Sequence, residues 1–72
     1  MREGVLMFDP DSERMDVRFD VEDYYGGLHC GERMEVYLKG KWQPSRIEMN
    51  FKGNWYLVGI DTDNLVGLRG RI

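Results

Sequence analysis

Apolar residues recur at every second position over short runs in this chain, and no stretch carries the spacing of an amphipathic helix. Glu3 to Phe8 (EGVLMF) predicts a first strand. Asp9-Pro10-Asp11-Ser12 follows with type I turn chemistry, in which proline pre-sets φ and the aspartate side chain bonds the backbone just beyond it. In Arg14 to Phe19 (RMDVRF), Met15, Val17 and Phe19 face one way while Arg14, Asp16 and Arg18 face the other. That is a half-buried antiparallel strand, so the first two strands form a hairpin. Asp20 to Gly31 (DVEDYYGGLHCG) breaks the alternation, holds three glycines and predicts a long loop folded over one end or flank.

Alternation resumes in Glu32 to Lys39 (ERMEVYLK), with Met34, Val36 and Leu38 inward and Arg33, Glu35, Tyr37 and Lys39 outward. Gly40-Lys41 predicts a type II′ hairpin turn. Lys41 to Phe51 (KWQPSRIEMNF) is a long strand in which Trp42 and Ile47 differ in parity, so a bulge near Pro44 is expected. Lys52-Gly53 is the next tight turn. Trp55 to Ile60 (WYLVGI) is apolar on both faces, the pattern of a central strand in a closed or covered sheet. Asp61 to Gly67 predicts a short turn or a single 3-10 turn, and Leu68 to Ile72 a last strand with both arginines outward. A hairpin, a long loop, a three-strand meander, a 3-10 turn and a closing strand are the plan of a small SH3-like β-barrel of five to six antiparallel strands. An OB-fold would require a helix that no segment supplies.

Composition narrows this picture. Residues 1–72 make a single domain. A chain of this length buries only about 60% of its unfolded surface, and its core supplies ~3–5 kcal/mol. With one cysteine and one histidine, neither an intramolecular disulfide nor a Cys/His zinc site can staple it. Packing of its two Trp, four Tyr and three Phe, or oligomerisation, remains. Both termini are expected in strands. No apolar stretch reaches a membrane span and no basic-then-apolar leader opens the chain, so a cytoplasmic location is expected.

The segment Asp23-Tyr24-Tyr25-Gly26-Gly27-Leu28-His29-Cys30-Gly31-Glu32 carries a resemblance together with Trp42, Arg46-Ile47-Glu48, Trp55-Tyr56-Leu57-Val58-Gly59 and Leu65-Val66-Gly67-Leu68. Over nearly the whole chain these resemble a family of small uncharacterised bacterial proteins, a domain of unknown function often encoded on conjugative or integrated mobile elements of Gram-positive bacteria. The resemblance implies a small β-barrel and a cytoplasmic accessory protein. It brings no catalytic residues and no cofactor.

Reactive chemistry is thin. His29-Cys30 are neighbours, but adjacent residues of an extended chain point to opposite faces, and no third catalytic group accompanies them. The structural reading makes Cys30 a small buried hydrophobe and His29 a hydrogen-bonder of the loop. The acids Asp9, Asp11, Glu13, Asp16, Asp20, Glu22 and Asp23 lack calcium-loop spacing and read as turn formers and a solvated face, as do Asp61, Asp63 and Asn64. The sequence therefore points away from an enzyme and from any cofactor or metal.

Binding is the expectation that remains. Tyr24, Tyr25, Tyr37 and Trp42 are the candidate contact residues, with Trp42 the most exposed; Trp55 and Tyr56 are further aromatics of the same kind, several of them needed for the core. A partner protein, or a second copy of the chain, is the expected target. The alternative is nucleic acid, held by a basic face of Arg46, Lys52, Arg69 and Arg71. From Lys39 onward six Lys/Arg stand against three Asp/Glu, while Asp9 to Asp23 holds seven acids and two arginines. The net charge of −3 opposes that alternative, because phosphate neutralisation dominates such affinity.

Overall fold

The computed structural model describes all residues from Met1 to Ile72 and holds seven strands and no helix. They are β1 (Glu3–Asp9), β2 (Arg14–Asp20), β3 (Asp23–Tyr24), β4 (Arg33–Leu38), β5 (Lys41–Met49), β6 (Trp55–Leu57) and β7 (Arg69–Arg71). All pairings are antiparallel, and the sheet runs β3-β2-β1-β7-β4-β5-β6. The first and last strands lie side by side, and the backbones of Arg2 and Ile72 extend their pairing with two further hydrogen bonds.

The all-β reading holds, but the barrel does not close. The edges β3, two residues long, and β6, three residues long, share no ladder. The sheet instead bends around nine buried side chains: Leu6, Met15, Val17, Leu28, Met34, Val36, Ile47, Leu57 and Leu65. They come from five strands and two loops. The inward sets expected of β2 and β4 are among them, with Phe19 and Leu38 only partly covered.

No aromatic belongs to that buried set, against the expectation that the core would need several of them. Two methionines and seven aliphatic residues fill the space, leaving the rings at the periphery.

Turn chemistry explains most connections. In the β1–β2 hairpin Asp9 accepts from the Asp11 N–H and the Ser12 hydroxyl, each at 3.0 Å. The β4–β5 turn is type I′ and not type II′: Leu38 pairs with Lys41, so Lys39 and Gly40 are its central residues, at φ 55° and 80°. β5 carries no bulge. Its register with β4 is unbroken from Arg33↔Arg46 to Leu38↔Lys41, so Trp42 lies outward and Ile47 inward without conflict. Pro44 costs no ladder bond, since β6 pairs only with Ile47–Met49 and leaves that stretch of β5 at an edge.

Three expectations are corrected. The apolar run after Trp55 is an edge strand of three residues that turns away at Gly59 (φ 76°), not a central strand. The segment before β7 contains no 3-10 turn; an ordinary turn closes with the Leu68 N–H donating to the Leu65 carbonyl. The Asp20–Gly31 loop contains the short strand β3, and then continues along β2, where the N–H groups of Tyr25 and Leu28 donate to Val17 and Met15 carbonyls. Leu28 thereby enters the core.

Candidate surface on the outer face of the sheet

Alternation in each strand fixes which side chains look away from the core, and the register aligns them into rows. One row crosses six strands: Tyr24, Arg18, Val5, Arg69, Tyr37 and Trp42, from β3 to β5. The next holds Glu3, Arg71, Glu35 and Pro44. Beyond it Arg33 lies opposite Arg46.

The first row contains the densest arrangement of aromatics and cations. Tyr37 and Trp42 meet edge to face with ring centroids 5.3 Å apart, the geometry their quadrupoles prefer. Arg71 lies over the Trp42 ring at 4.2 Å, and Arg69 over Tyr37 at 4.8 Å and Trp42 at 5.6 Å. Glu3 holds Arg69 at 2.8 Å, and Glu35 holds Arg71 at 2.6 Å. These ties fix the guanidinium planes and brace the indole from one side. Trp42 is consequently half-buried, less exposed than its sequence position suggests.

Of the four candidate contact aromatics, the structure brings Tyr37 and Trp42 together and sets Tyr24 at the far end of the same row, with Arg18 5.9 Å from its ring. Tyr25 belongs elsewhere. Its hydroxyl donates to Glu32, which also accepts from the His29 N–H at 2.8 Å and sits 3.3 Å from the His29 ring. Burial alone would raise the Glu32 carboxyl, but the hydrogen bonds from Tyr25 and His29 outweigh it and hold it below its usual range. The same bond holds the Tyr25 hydroxyl above its usual range. Cys30 is exposed, not buried, and the chain stays accessible there because Gly31 (φ 89°) turns it straight back toward β4. Nowhere do three or more His, Cys, Asp or Glu side chains converge as metal ligands would.

The basic residues do not make a free cationic face. Arg46 is tied to Glu48 at 3.1 Å, Arg69 and Arg71 to Glu3 and Glu35, and Lys52 sits apart on the β5–β6 turn. The residues that sequence reasoning missed are Glu3, Glu35 and Arg33. Their signal was present in the outward positions of β1 and β4, but only the pairing order of β1, β7 and β4 brings them together.

The chain contains no helix, hence none long and apolar enough to cross a membrane. A crystal structure of a protein from Ruminococcus gnavus is similar to it, with a TM-score of 0.91 and 52% sequence identity, covering 99% of this chain and 100% of that one. No curated protein matches. The family model for DUF5348, a domain of unknown function, matches residues 4–72, and the chain belongs to that family.

Proposed function

We propose that the domain is a non-enzymatic protein-interaction module that docks its partner on the outer face of β7, β4 and β5. The observation that carries this reading is the Tyr37–Trp42 pair, braced by Arg69 and Arg71 on the solvent side of a sheet whose buried core is complete without any aromatic. Tryptophan, tyrosine and arginine are the residue types that concentrate binding energy at protein interfaces. Pre-fixed rings and guanidinium groups also lose little freedom when a partner arrives.

The order β1-β7-β4-β5-β6, with the last strand between the first and the meander, supports an SH3-like fold opened along one seam. The Ruminococcus gnavus structure supports a setting in Gram-positive bacteria, and a role among mobile-element accessory proteins rests on the sequence resemblance alone. Nucleic acid is the weaker reading, because three of the four candidate basic residues are each matched by a glutamate.

The test is affinity purification from the producing bacterium with the wild-type domain and with Trp42→Ala. A protein that co-purifies stoichiometrically with the wild type and is lost with the variant supports the reading, provided Tm falls by only a few degrees. Recovery of DNA or RNA in its place, or indifference to the substitution, overturns it.

A further inference from the structure

Across β7, β4 and β5 the outward arginines are matched by glutamates with a single remainder. Arg69 has Glu3, Arg71 has Glu35 and Arg46 has Glu48. Arg33 makes no ion pair and no side-chain hydrogen bond, although it is exposed on the same face. Its cross-strand partner is Arg46. The two-residue turn makes Leu38↔Lys41 a hydrogen-bonded pair, and alternation along the ladder makes Arg33↔Arg46 a non-hydrogen-bonded one, the kind whose side chains approach most closely. Like charges directly opposite one another destabilise a sheet. This fold keeps such a pair in the lining of an open groove of about 300 Å³, together with Met1, Met34, Pro44 and Val58.

We propose that Arg33 and Arg46 form a receptor for a single carboxylate carried by an extended acidic peptide segment of the partner. This rests on the protein-contact reading above and names the chemistry of that partner. Two guanidinium groups on directly opposed residues, one of them with no partner, offer planar donors suited to one carboxylate. The Arg33–Arg46–Glu48 group keeps one uncompensated charge, which suits one carboxylate; a nucleic-acid backbone, with its regular series of phosphates, would need a run of unpaired cations that β7, β4 and β5 do not carry. The strip along β4 and β5 continues from this site past Glu35 and Pro44 to Tyr37 and Trp42, four residues further along each strand. An extended segment would therefore lay its acidic residue on the arginine pair and an apolar residue on the Tyr37–Trp42 pair, using alternate side chains as extended peptides do.

The experiment follows the arginine Nε–H resonances of the intact domain by NMR. The probe is a blocked synthetic peptide of serine and threonine carrying one glutamate and, four positions away and so on the same face of an extended chain, one leucine, with its glutamine counterpart, inorganic phosphate and oligothymidylate as comparators. Expected are saturable shifts at Arg33 and Arg46 with the glutamate peptide, and affinity about tenfold weaker with the glutamine peptide, one charge-assisted contact being worth roughly that factor. Arg33→Gln should abolish the difference between the two peptides and leave Tm unchanged or raised, since it removes a repulsion. Arg33→Lys should keep part of it.

Equal response to both peptides, no shift at either arginine, or stronger response to phosphate or oligothymidylate overturns the proposal. If Trp42→Ala still releases the cellular partner while Arg33→Gln does not, the carboxylate receptor fails and the aromatic docking surface stands.

Discussion

At the scale of single residues, the paired glycines Gly4 and Gly70 show how differently the same atom can be excluded. A Cβ on Gly4 would fall on the Arg18 carbonyl and press into Val17, and backbone cannot yield there without breaking the β1–β2 ladder. A Cβ on Gly70 would meet the Met34 methyl at 3.0 Å, the far end of a flexible thioether. Gly4→Ala is therefore expected to cost at least ~2 kcal/mol, as overpacking against rigid neighbours does, and Gly70→Ala under ~1 kcal/mol. Chemical denaturation of both variants checks this; equal losses would mean that β1 can slide away from β2. Neither outcome was readable in sequence, where both glycines look like ordinary strand interruptions. Met15, Val17, Met34 and Val36, by contrast, were legible as core because period-two alternation with one charged face has a single interpretation.

At the scale of elements, the part of the long loop that leaves β2 is latched to the start of β4 by one carboxylate. Glu32 takes the Tyr25 hydroxyl, the His29 N–H and the His29 ring, and so ties the segment after β3 to the start of β4. Its folded pKa lies below the unfolded value, so this contribution is full above the ordinary carboxylate range and is lost as pH falls through the lowered value. Acidification should therefore loosen the loop before the rest of the sheet, with early loss of amide protection at Tyr25 and Leu28. Glu32→Gln should remove that pH step and lower Tm at neutral pH by ~4–8 °C, for about 1 kcal/mol at a partly exposed site. Hydrogen exchange across pH reads both, and identical acid profiles for the two proteins would discard the latch. The sequence marked this loop by its glycines and lost alternation. It could not show β3, since two residues carry no period and Asp23–Tyr24 is a strand only through pairing with Arg18 and Asp20. The Trp55–Ile60 run misled for a related reason: an apolar string looks the same whether sheet covers both sides or Gly59 ends it after three residues.

For the whole molecule, the decisive feature is the seam where β3 and β6 fail to meet. One polar contact spans it near the hairpin tip: the Trp55 indole N–H donates to the Glu13 carbonyl at 3.1 Å, linking β6 to the β1–β2 turn. A cleft of about 510 Å³ opens beside it, lined by Phe8, Trp55, Tyr56, Ile60 and Leu65. Trp55→Phe keeps a benzene ring but removes the donor and the pyrrole half of the indole, which packs against the core, and should cost at least about 1 kcal/mol. The loss should be local, with faster exchange at the Val58 and Ile60 amides and unchanged protection in β4; a uniform change would show that the seam is not a separate unit. The open architecture was illegible for the same reason that the strand order was nearly legible. Turn spacing conveys succession, whereas closure depends on where the bent sheet leaves its two edges in space.

The exclusion of every ring from the core also makes the domain its own optical instrument. Its two indoles report on separate places, Trp42 on the outer face and Trp55 on the seam, and neither is fully enclosed. Emission from Trp55→Phe would come from Trp42 alone and would register a docking peptide with no attached dye. Emission from Trp42→Phe would follow the gap between the sheet edges. Because Trp55 packs against the aliphatic interior, the Trp42→Phe protein would report unfolding as well, and calorimetry would show whether the two transitions coincide.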